Sequence, residues 1–240
     1  MKTIKIFLVA GEISGDRLGG RLMHSLKKQA KSLKINLEFH GIGGNQMIAE
    51  GLNLTYPMKN IGLIGLVEVL PHLIKLISII KDTAKTIDTI KPSIVITIDS
   101  WDFSSRIVKL IKSRDAMKLV HYVSPSIWAH RPKRAIQLER FYDLLLCIFP
   151  FEPKYYRKDK VECKYIGHPL VESFAKTKKQ NFIKKKYKLN RNIKILGVMA
   201  GSREKEITKM LPIFIEAVNK FLSHPSINKK QFLEVYTSFR

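Results

Sequence analysis

Two acidic residues stand directly after an apolar run, in the segment 98–103 (IDSWDF). Asp99 falls at the carboxyl end of a predicted buried strand, which is the edge where open parallel sheets bind ligands. A carboxylate there can act as a general base if a substrate hydroxyl comes within about 3 Å of it. Asp102 falls at or near the start of the next helix, where a capping role is more common. The positions favour Asp99 for chemistry and Asp102 for structure.

A glycine-rich loop, 10–16 (AGEISGD), joins the first predicted strand to the first predicted helix. Glycines at such a turn let a ligand approach the backbone, and a helix N-terminus favours negative charge. The candidate substrate-binding residues of this loop are Gly11, Glu12, Ser14, Gly15 and Asp16. The spacing is not that of a dinucleotide fingerprint. Spacing alone leaves a binding loop and a plain tight turn about equally supported.

A polar and aromatic loop, 121–131 (HYVSPSIWAHR), follows another predicted strand. Ser124, Trp128 and Arg131 are its candidate binding residues, because an indole suits a sugar ring and a guanidinium suits a phosphate. The alternative is a tryptophan packed under the loop with a solvated arginine.

A third loop, 200–206 (AGSREKE), again follows a strand and opens a helix. Backbone N–H groups at Gly201 and Ser202, together with Arg203, could hold a diphosphate. The alternative is structural, because glutamates in a first helical turn also complement the helix dipole.

These loops require a scaffold of alternating strands and helices, and the sequence has that pattern. The apolar, strand-like runs are 4–10, 36–41, 93–99, 118–124, 143–149, 161–166, 193–199 and 232–236. Helical patterns at 17–31 and 103–113 separate some of them, and another begins at about Glu204. The pattern predicts an α/β protein with a Rossmann-like parallel sheet and flanking helices.

A lysine-rich block without acids marks a predicted domain junction at 176–192. Such like-charge blocks are typical of solvated connectors. We therefore predict an N-terminal Rossmann-like domain at 1–175, a basic connector at 176–192, and the start of a second Rossmann-like domain at 193–240.

The formal net charge is +23. A nucleic-acid surface, an anionic membrane surface and simple lysine-rich composition are the three explanations, and no nucleic-acid motif is evident. The stretch 61–81 is too polar to span a bilayer, and it is either a buried helix or an apolar patch for acyl chains or a membrane. The two cysteines fit no metal motif and indicate a reducing compartment.

Taken together, eight motifs resemble the lipid-A-disaccharide synthases in order and spacing. They are AGEISGD (10–16), GIGG (41–44), GLIGLVEVL (62–70), IDSWDF (98–103), HYVSPSIWAHRPKR (121–134), FPFE (149–152), YIGHPL (165–170) and AGSREKEI (200–207). The resemblance implies a GT-B glycosyltransferase with a cleft between two Rossmann-like halves. It implies transfer from UDP-2,3-diacylglucosamine to 2,3-diacylglucosamine 1-phosphate without metal or cofactor, on the cytoplasmic face of the inner membrane.

The resemblance also implies residue roles. Asp99 would be the base for the acceptor hydroxyl, the loop 10–16 would face the acceptor, and Gly201, Ser202 and Arg203 would stabilise the leaving diphosphate. The family is longer than 240 residues, so an alternative is an inactive or split-enzyme half that binds the acceptor and is completed by a C-terminal chain or a homo-oligomer. A basic nucleic-acid-binding protein is the second alternative, and we expect no nucleic-acid partner.

Overall fold

The structure is a computed structural model that describes residues 2–58, 69–129, 132–171, 188–190, 192–201, 204–229 and 232–237. The chain divides into two compact units, residues 1–176 and 177–240. Most of the predicted basic connector, 176–192, lies outside the described residues.

The first unit is built on a seven-stranded sheet in which all paired strands are parallel. Its strands are β1 (Thr3–Ala10), β2 (Asn36–Gly43), β3 (Leu52–Pro57), β4 (Ile94–Ile98), β5 (Lys118–Tyr122), β6 (Leu144–Cys147) and β7 (Glu162–Tyr165). Their order across the sheet is β3-β2-β1-β4-β5-β6-β7. The central strands are apolar on both faces, as expected for a parallel sheet covered on both sides.

Helices cover both faces of this sheet. They are α1 (Ile13–Ser32), α2 (Asn45–Ala49), α3 (Val69–Ile90), α4 (Trp101–Leu110) and α5 (Lys133–Phe141), with short 3-10 turns at Arg114–Ala116 and Glu152–Tyr155. Successive residues of β1 point to opposite faces. Leu8 accordingly packs in one core with Met23 of α1, and Phe7 packs in the other with Ile107 of α4 and Leu138 of α5. The predicted Rossmann-like fold is confirmed.

The chain reverses its direction of travel across the sheet between β1 and β4. β1 pairs with β2 on one side and with β4 on the other, where Ala10 is the register partner of Ile98. The loops that follow two such strands run to opposite faces of a sheet, and ligands bind in the crevice between them. The loops that carry Gly11 and Asp99 are therefore the two sides of one crevice.

Several local predictions need correction. The strand β3 and the short helix α2 were not predicted, and α1 begins at Ile13 instead of at Arg17. The prediction that Asp102 caps the helix is wrong, because α4 begins at Trp101 with Ser100 at the N-cap position. Asp102 lies in the first turn instead and pairs with Arg134.

The apolar stretch 61–81 is described only from Val69, where α3 begins. Within α3, Ile79 and Ile80 are buried in the core, while Ile74 and Ile77 are exposed. The described part of this stretch therefore serves both as core and as apolar surface. No helix in the described part of the chain has the length and apolar character needed to cross a membrane.

The second unit contains two parallel strands, β8 (Lys194–Met199) and β9 (Phe232–Thr237), and the helix α6 (Glu204–Leu222). Val198 of β8 packs against Val218 and Leu222 of α6. This is a strand, helix and strand in the order that a parallel pair requires.

Candidate active site

Asp99 stands at the end of β4 in an unusual backbone conformation. Its φ is 52° and that of Ser100 is 42°, so two successive non-glycine residues are left-handed. Hydrogen bonds hold this backbone in place: the Asp99 N–H donates to the Tyr122 carbonyl at 2.9 Å, and the Ser104 hydroxyl donates to the Asp99 carbonyl at 3.1 Å. Sparsely populated conformations that the surroundings enforce in this way cluster at functional sites.

The Asp99 side chain is half-buried. Among the described residues, no hydrogen-bond donor or cation pairs with its carboxylate. A carboxylate with this exposure can be hydrogen-bonded by solvent or by a ligand. Its position at the crevice between β1 and β4 leaves it open to a ligand.

Gly11 and Ser100 bring the two loops of the crevice into contact. A Cβ atom added at Gly11 would lie 3.1 Å from Ser100 Oγ and 3.3 Å from Phe103 Cδ1, so the close approach leaves little room for a side chain. The Ser100 Oγ atom is buried and has no hydrogen-bond partner in the described part of the chain. Such a group is an exception among buried polar atoms, and here it lies beside the crevice.

The other candidate binding residues of the loop 10–16 differ in their exposure to solvent. Glu12 and Ser14 are exposed, whereas Gly15 and Asp16 are buried. Glu12 occupies the N-cap position of α1 without a side-chain capping bond. Glu12 and Ser14 therefore have side chains that solvent or a ligand can reach.

Asp16 is only 4% exposed, and its carboxylate is occupied by backbone amides. It accepts hydrogen bonds from the N–H groups of Gly44 at 2.8 Å, Gln46 at 3.0 Å and Met47 at 3.0 Å. These N–H groups belong to the start of α2, where a carboxylate is favoured by both hydrogen bonding and the helix dipole. Asp16 thus fixes the loop after β2 against the loop after β1.

The loop after β5 holds the next predicted group. Ser124 is buried, and its Oγ atom lies 2.6 Å from the Tyr156 hydroxyl. Trp128 is exposed and packs edge-on against Phe151. Arg131 lies outside the described residues. Ser124 therefore ties this loop to the segment after β6, while Trp128 faces outward.

A cluster of buried polar and aromatic side chains, which the sequence did not reveal, packs beside the loop that carries Asp99. Thr97 Oγ1 lies 2.7 Å from His121 Nδ1 and 2.9 Å from the Tyr142 hydroxyl, and Trp101 meets the His121 ring edge-on. Burial lowers the pKa of the His121 imidazole to about 3, so the ring is neutral at pH 7. His121 is fully buried, which makes it a support of the β4–β5 edge.

Glu152 of the FPFE motif has a role that sequence reasoning did not assign. Its Oε2 atom accepts the N–H groups of Ile148 at 3.0 Å and Phe149 at 2.9 Å. Burial raises the pKa of this carboxyl, although the two hydrogen bonds oppose that shift. Glu152 therefore fixes the turn that follows β6.

The predicted diphosphate loop belongs to the second unit and is described only in part. Gly201 follows β8 with a φ of 131°, a conformation that glycine adopts readily. Ser202 and Arg203 lie outside the described residues, so their role remains a prediction. Among the residues that are described, no group of three or more His, Cys, Asp or Glu side chains could hold a metal ion.

Solved structures define the class of the fold. A UDP-GlcNAc 2-epimerase from Methanocaldococcus jannaschii, in complex with UDP-GlcNAc and UDP, matches 99% of this chain and 66% of its own with a TM-score of 0.56 and 12% identity. A glycosyltransferase from Rickettsia africae matches 99% of this chain and 69% of its own with a TM-score of 0.52 and 14% identity. At these identities the likeness is one of fold, the Rossmann-like fold of GT-B proteins.

The sequence defines the family. The model of the lipid-A-disaccharide synthetase family matches residues 6–240, so the chain belongs to this glycosyltransferase family. The lipid-A-disaccharide synthase of Rhodospirillum centenum is 40% identical over 215 residues, which are 89% of this chain and 53% of that protein. The synthase of Rickettsia prowazekii is 39% identical over 219 residues, which are 90% of this chain and 56% of that protein. The chain spans about half the length of these curated relatives.

Proposed function

We propose that the complete protein transfers 2,3-diacylglucosamine from UDP-2,3-diacylglucosamine to 2,3-diacylglucosamine 1-phosphate. The products are lipid A disaccharide 1-phosphate and UDP. The observation that carries this proposal is the carboxylate of Asp99 at the crevice between β1 and β4, which has no partner among the described residues, in a chain of this family. The nucleic-acid alternative is not favoured by the family match.

In the proposed reaction, Asp99 takes the proton of the acceptor 6-hydroxyl as that oxygen attacks the anomeric carbon of the donor. The bond from that carbon to the diphosphate breaks, and UDP leaves with its electron pair. Backbone N–H groups at Gly201 and Ser202 and the guanidinium of Arg203 stabilise the charge of the leaving diphosphate. As the resemblance to the family implies, the proposed reaction uses neither a metal nor a cofactor.

On the acceptor side, we assign substrate contacts to the side chains of Glu12 and Ser14 and to the backbone at Gly11 and Gly15. Trp128 and Arg131 on the loop after β5 complete this set. The buried side chains of Asp16 and Ser124 hold these loops in place. Support for this division comes from the exposure of Glu12, Ser14 and Trp128 and from the burial of Asp16 and Ser124.

The proposed place of action is the cytoplasmic face of the inner membrane. A net charge of +23 favours anionic lipid headgroups, and the exposed Ile74 and Ile77 of α3 offer apolar contact. Because the chain spans about half the length of its relatives, we propose that the active form includes a C-terminal portion, supplied in the same chain or by a second chain.

The test is the substitution Asp99→Asn in this chain, assayed with a supplied C-terminal half for transfer from UDP-2,3-diacylglucosamine. We expect kcat to fall by about 10²- to 10⁴-fold, because a general base contributes that much. The matched control is Asp102→Asn, which changes an exposed carboxylate three residues away that pairs with Arg134. A full rate in Asp99→Asn would refute the role of Asp99, and transfer by the 240-residue chain alone would remove the need for the supplied half.

A further inference from the structure

Four aromatic rings form a continuous row along the carboxyl edge of the first unit. We name it the aromatic row: Trp128, Phe151, Phe149 and His168. Successive ring centroids are 5.3, 5.5 and 5.6 Å apart, and the Phe149 and Phe151 rings are nearly parallel. Trp128 follows β5, the two phenylalanines follow β6, and His168 follows β7. The row therefore crosses the ends of three neighbouring strands, on the same edge as Asp99.

The aromatic row is exposed to solvent. Trp128 is 43% exposed, Phe149 is 36% exposed and Phe151 is 37% exposed. The chain beyond β7 adds the exposed side chains of Leu170 and Val171. Large apolar side chains gathered in this way on a surface mark sites that bind ligands, partners or membranes.

Buried polar contacts beneath the aromatic row hold it in place. The Glu152 carboxylate accepts the Phe149 N–H, and the Glu152 N–H donates to the Phe149 carbonyl at 3.2 Å, which closes the turn that displays Phe149 and Phe151. The hydrogen bond between Ser124 and Tyr156 joins the loop that carries Trp128 to the segment that follows this turn. The exposed rings are thus preorganised by groups that are themselves buried, which lowers the entropic cost of binding.

The chemistry of the aromatic row selects its ligand. Phe149 and Phe151 at its centre have no polar atom, and His168 Nδ1 at its end accepts the Leu170 N–H at 3.2 Å. Over Phe149 and Phe151 a sugar ring would find no side-chain donor or acceptor to fix its hydroxyls, whereas a hydrocarbon chain needs none and gains free energy by burying apolar surface.

We propose that the aromatic row is a subsite for an acyl chain of the lipid substrate, and this inference rests on the function proposed above. The headgroup would lie at the crevice of β1 and β4, and the chain would run across the ends of β5, β6 and β7. Trp128 contacts the chain in this arrangement, which refines its proposed role in substrate binding.

The first experiment places bromine on the acyl chains of 2,3-diacylglucosamine 1-phosphate and follows tryptophan emission from the 240-residue chain. Bromine quenches an indole that it contacts, and Trp101 is buried, so Trp128 is the responsive residue of the two tryptophans. We expect saturable quenching that Trp128→Phe abolishes. Binding of the brominated lipid without quenching of Trp128 overturns the proposal, and so does absence of binding.

The second experiment uses the double variant Phe149→Ala/Phe151→Ala. We expect its Kd for 2,3-diacylglucosamine 1-phosphate to rise by about tenfold or more, since each buried apolar side chain contributes on that scale. The Kd for glucosamine 1-phosphate, which has no acyl chain, stays unchanged. Leu33→Ala removes an exposed apolar side chain at the far end of α1 and serves as the control. Equal weakening of both ligands, or of neither, contradicts an acyl subsite.

These results separate the subsite from the reaction. Quenching of Trp128 in a completed enzyme that transfers no sugar would leave the subsite in place and refute the proposed function. If transfer depends on Asp99 but substitutions in the aromatic row do not change the binding of acylated ligands, the proposed function stands and the acyl subsite is refuted.

Discussion

Asp16 and Asp99 are two carboxylates at the same edge of the sheet, one beyond β1 and the other beyond its neighbour β4. Asp16 is buried and accepts three backbone hydrogen bonds. Asp99 is half-buried, has a left-handed backbone, and has no partner for its carboxylate among the described residues. The Asp16 carboxylate therefore has a structural role, whereas the Asp99 carboxylate is available to bind a ligand.

The comparison shows that position at the carboxyl edge is not enough to assign a binding role. Both residues satisfy the strand-end argument, and both were candidates on sequence. What separates them is the supply of local donors. The start of α2 lies beside Asp16 and offers three N–H groups, whereas no described residue donates to the Asp99 carboxylate. Satisfied hydrogen-bonding capacity indicates structure, and unsatisfied capacity at a crevice indicates function.

The largest expected effect concerns stability at Asp16. Asp16→Asn replaces one accepting oxygen with an NH₂ group that faces N–H donors, so at least one buried hydrogen bond is lost. We expect the free energy of unfolding of the first unit to fall by about 3 kcal/mol, the scale of a hydrogen bond to a charged group plus an unpaired donor. Urea unfolding followed by Trp101 emission measures this.

The matched substitution in this experiment is Asp99→Asn, for which we expect a change within about 0.5 kcal/mol, because no contact is lost. Equal destabilisation by the two variants would erase the distinction between a structural and a free carboxylate.

Sequence reasoning found Asp99 because its evidence is local: an apolar parallel strand followed at once by a carboxylate. It placed Asp16 among the substrate-binding candidates and could not reveal its structural role, because the three amides that bind it lie 28 to 31 residues away in the chain. They belong to the five-residue helix α2, which is too short to show a hydrophobic period. The pairing of Ser124 with Tyr156 was hidden for the same reason, since 32 residues separate them.

The sheet itself was more accessible to prediction than the site. The strands β1, β4, β5 and β6 are rich in apolar residues, and the helices between most of them indicate parallel pairing. The edge strand β3 was missed, because its LNLTYP sequence is short, ends in a proline and is fully buried only at Leu52. The position of Asp99 at a reversal of strand order became visible only when the order of strands across the sheet was known.

A second prediction concerns the support beneath Asp99. Burial lowers the pKa of folded His121 to about 3, whereas an unfolded histidine titrates near 6.5. Between these values the unfolded chain takes up a proton that the folded chain does not. Stability therefore falls as pH drops below about 6.5, by up to about 1.4 kcal/mol per pH unit from this residue, until about pH 3.

The measurement compares urea unfolding of the parent chain and of His121→Asn between pH 7 and pH 4.5. We expect the parent to lose more stability over this range, with His24→Asn as the control because the His24 ring is largely exposed. Identical pH slopes in the parent and in His121→Asn would show that His121 does not remain neutral within the fold.

The smallest expected effect concerns the left-handed backbone of Asp99, which we expect to lower the free energy of unfolding. Glycine adopts a φ of 52° without the steric penalty that a side chain meets there, so Asp99→Gly should raise the free energy of unfolding by about 0.5 to 1 kcal/mol. The control Asp102→Gly should lower stability by about 1 kcal/mol, because Asp102 complements the dipole in the first turn of α4 and pairs with Arg134, and because glycine disfavours a helix. If Asp99→Gly gains stability and loses transfer activity, the aspartate side chain costs the fold stability and serves catalysis. A loss of stability in Asp99→Gly would mean that Asp99, like Asp16, contributes to the fold, and the contrast between the two carboxylates would fail.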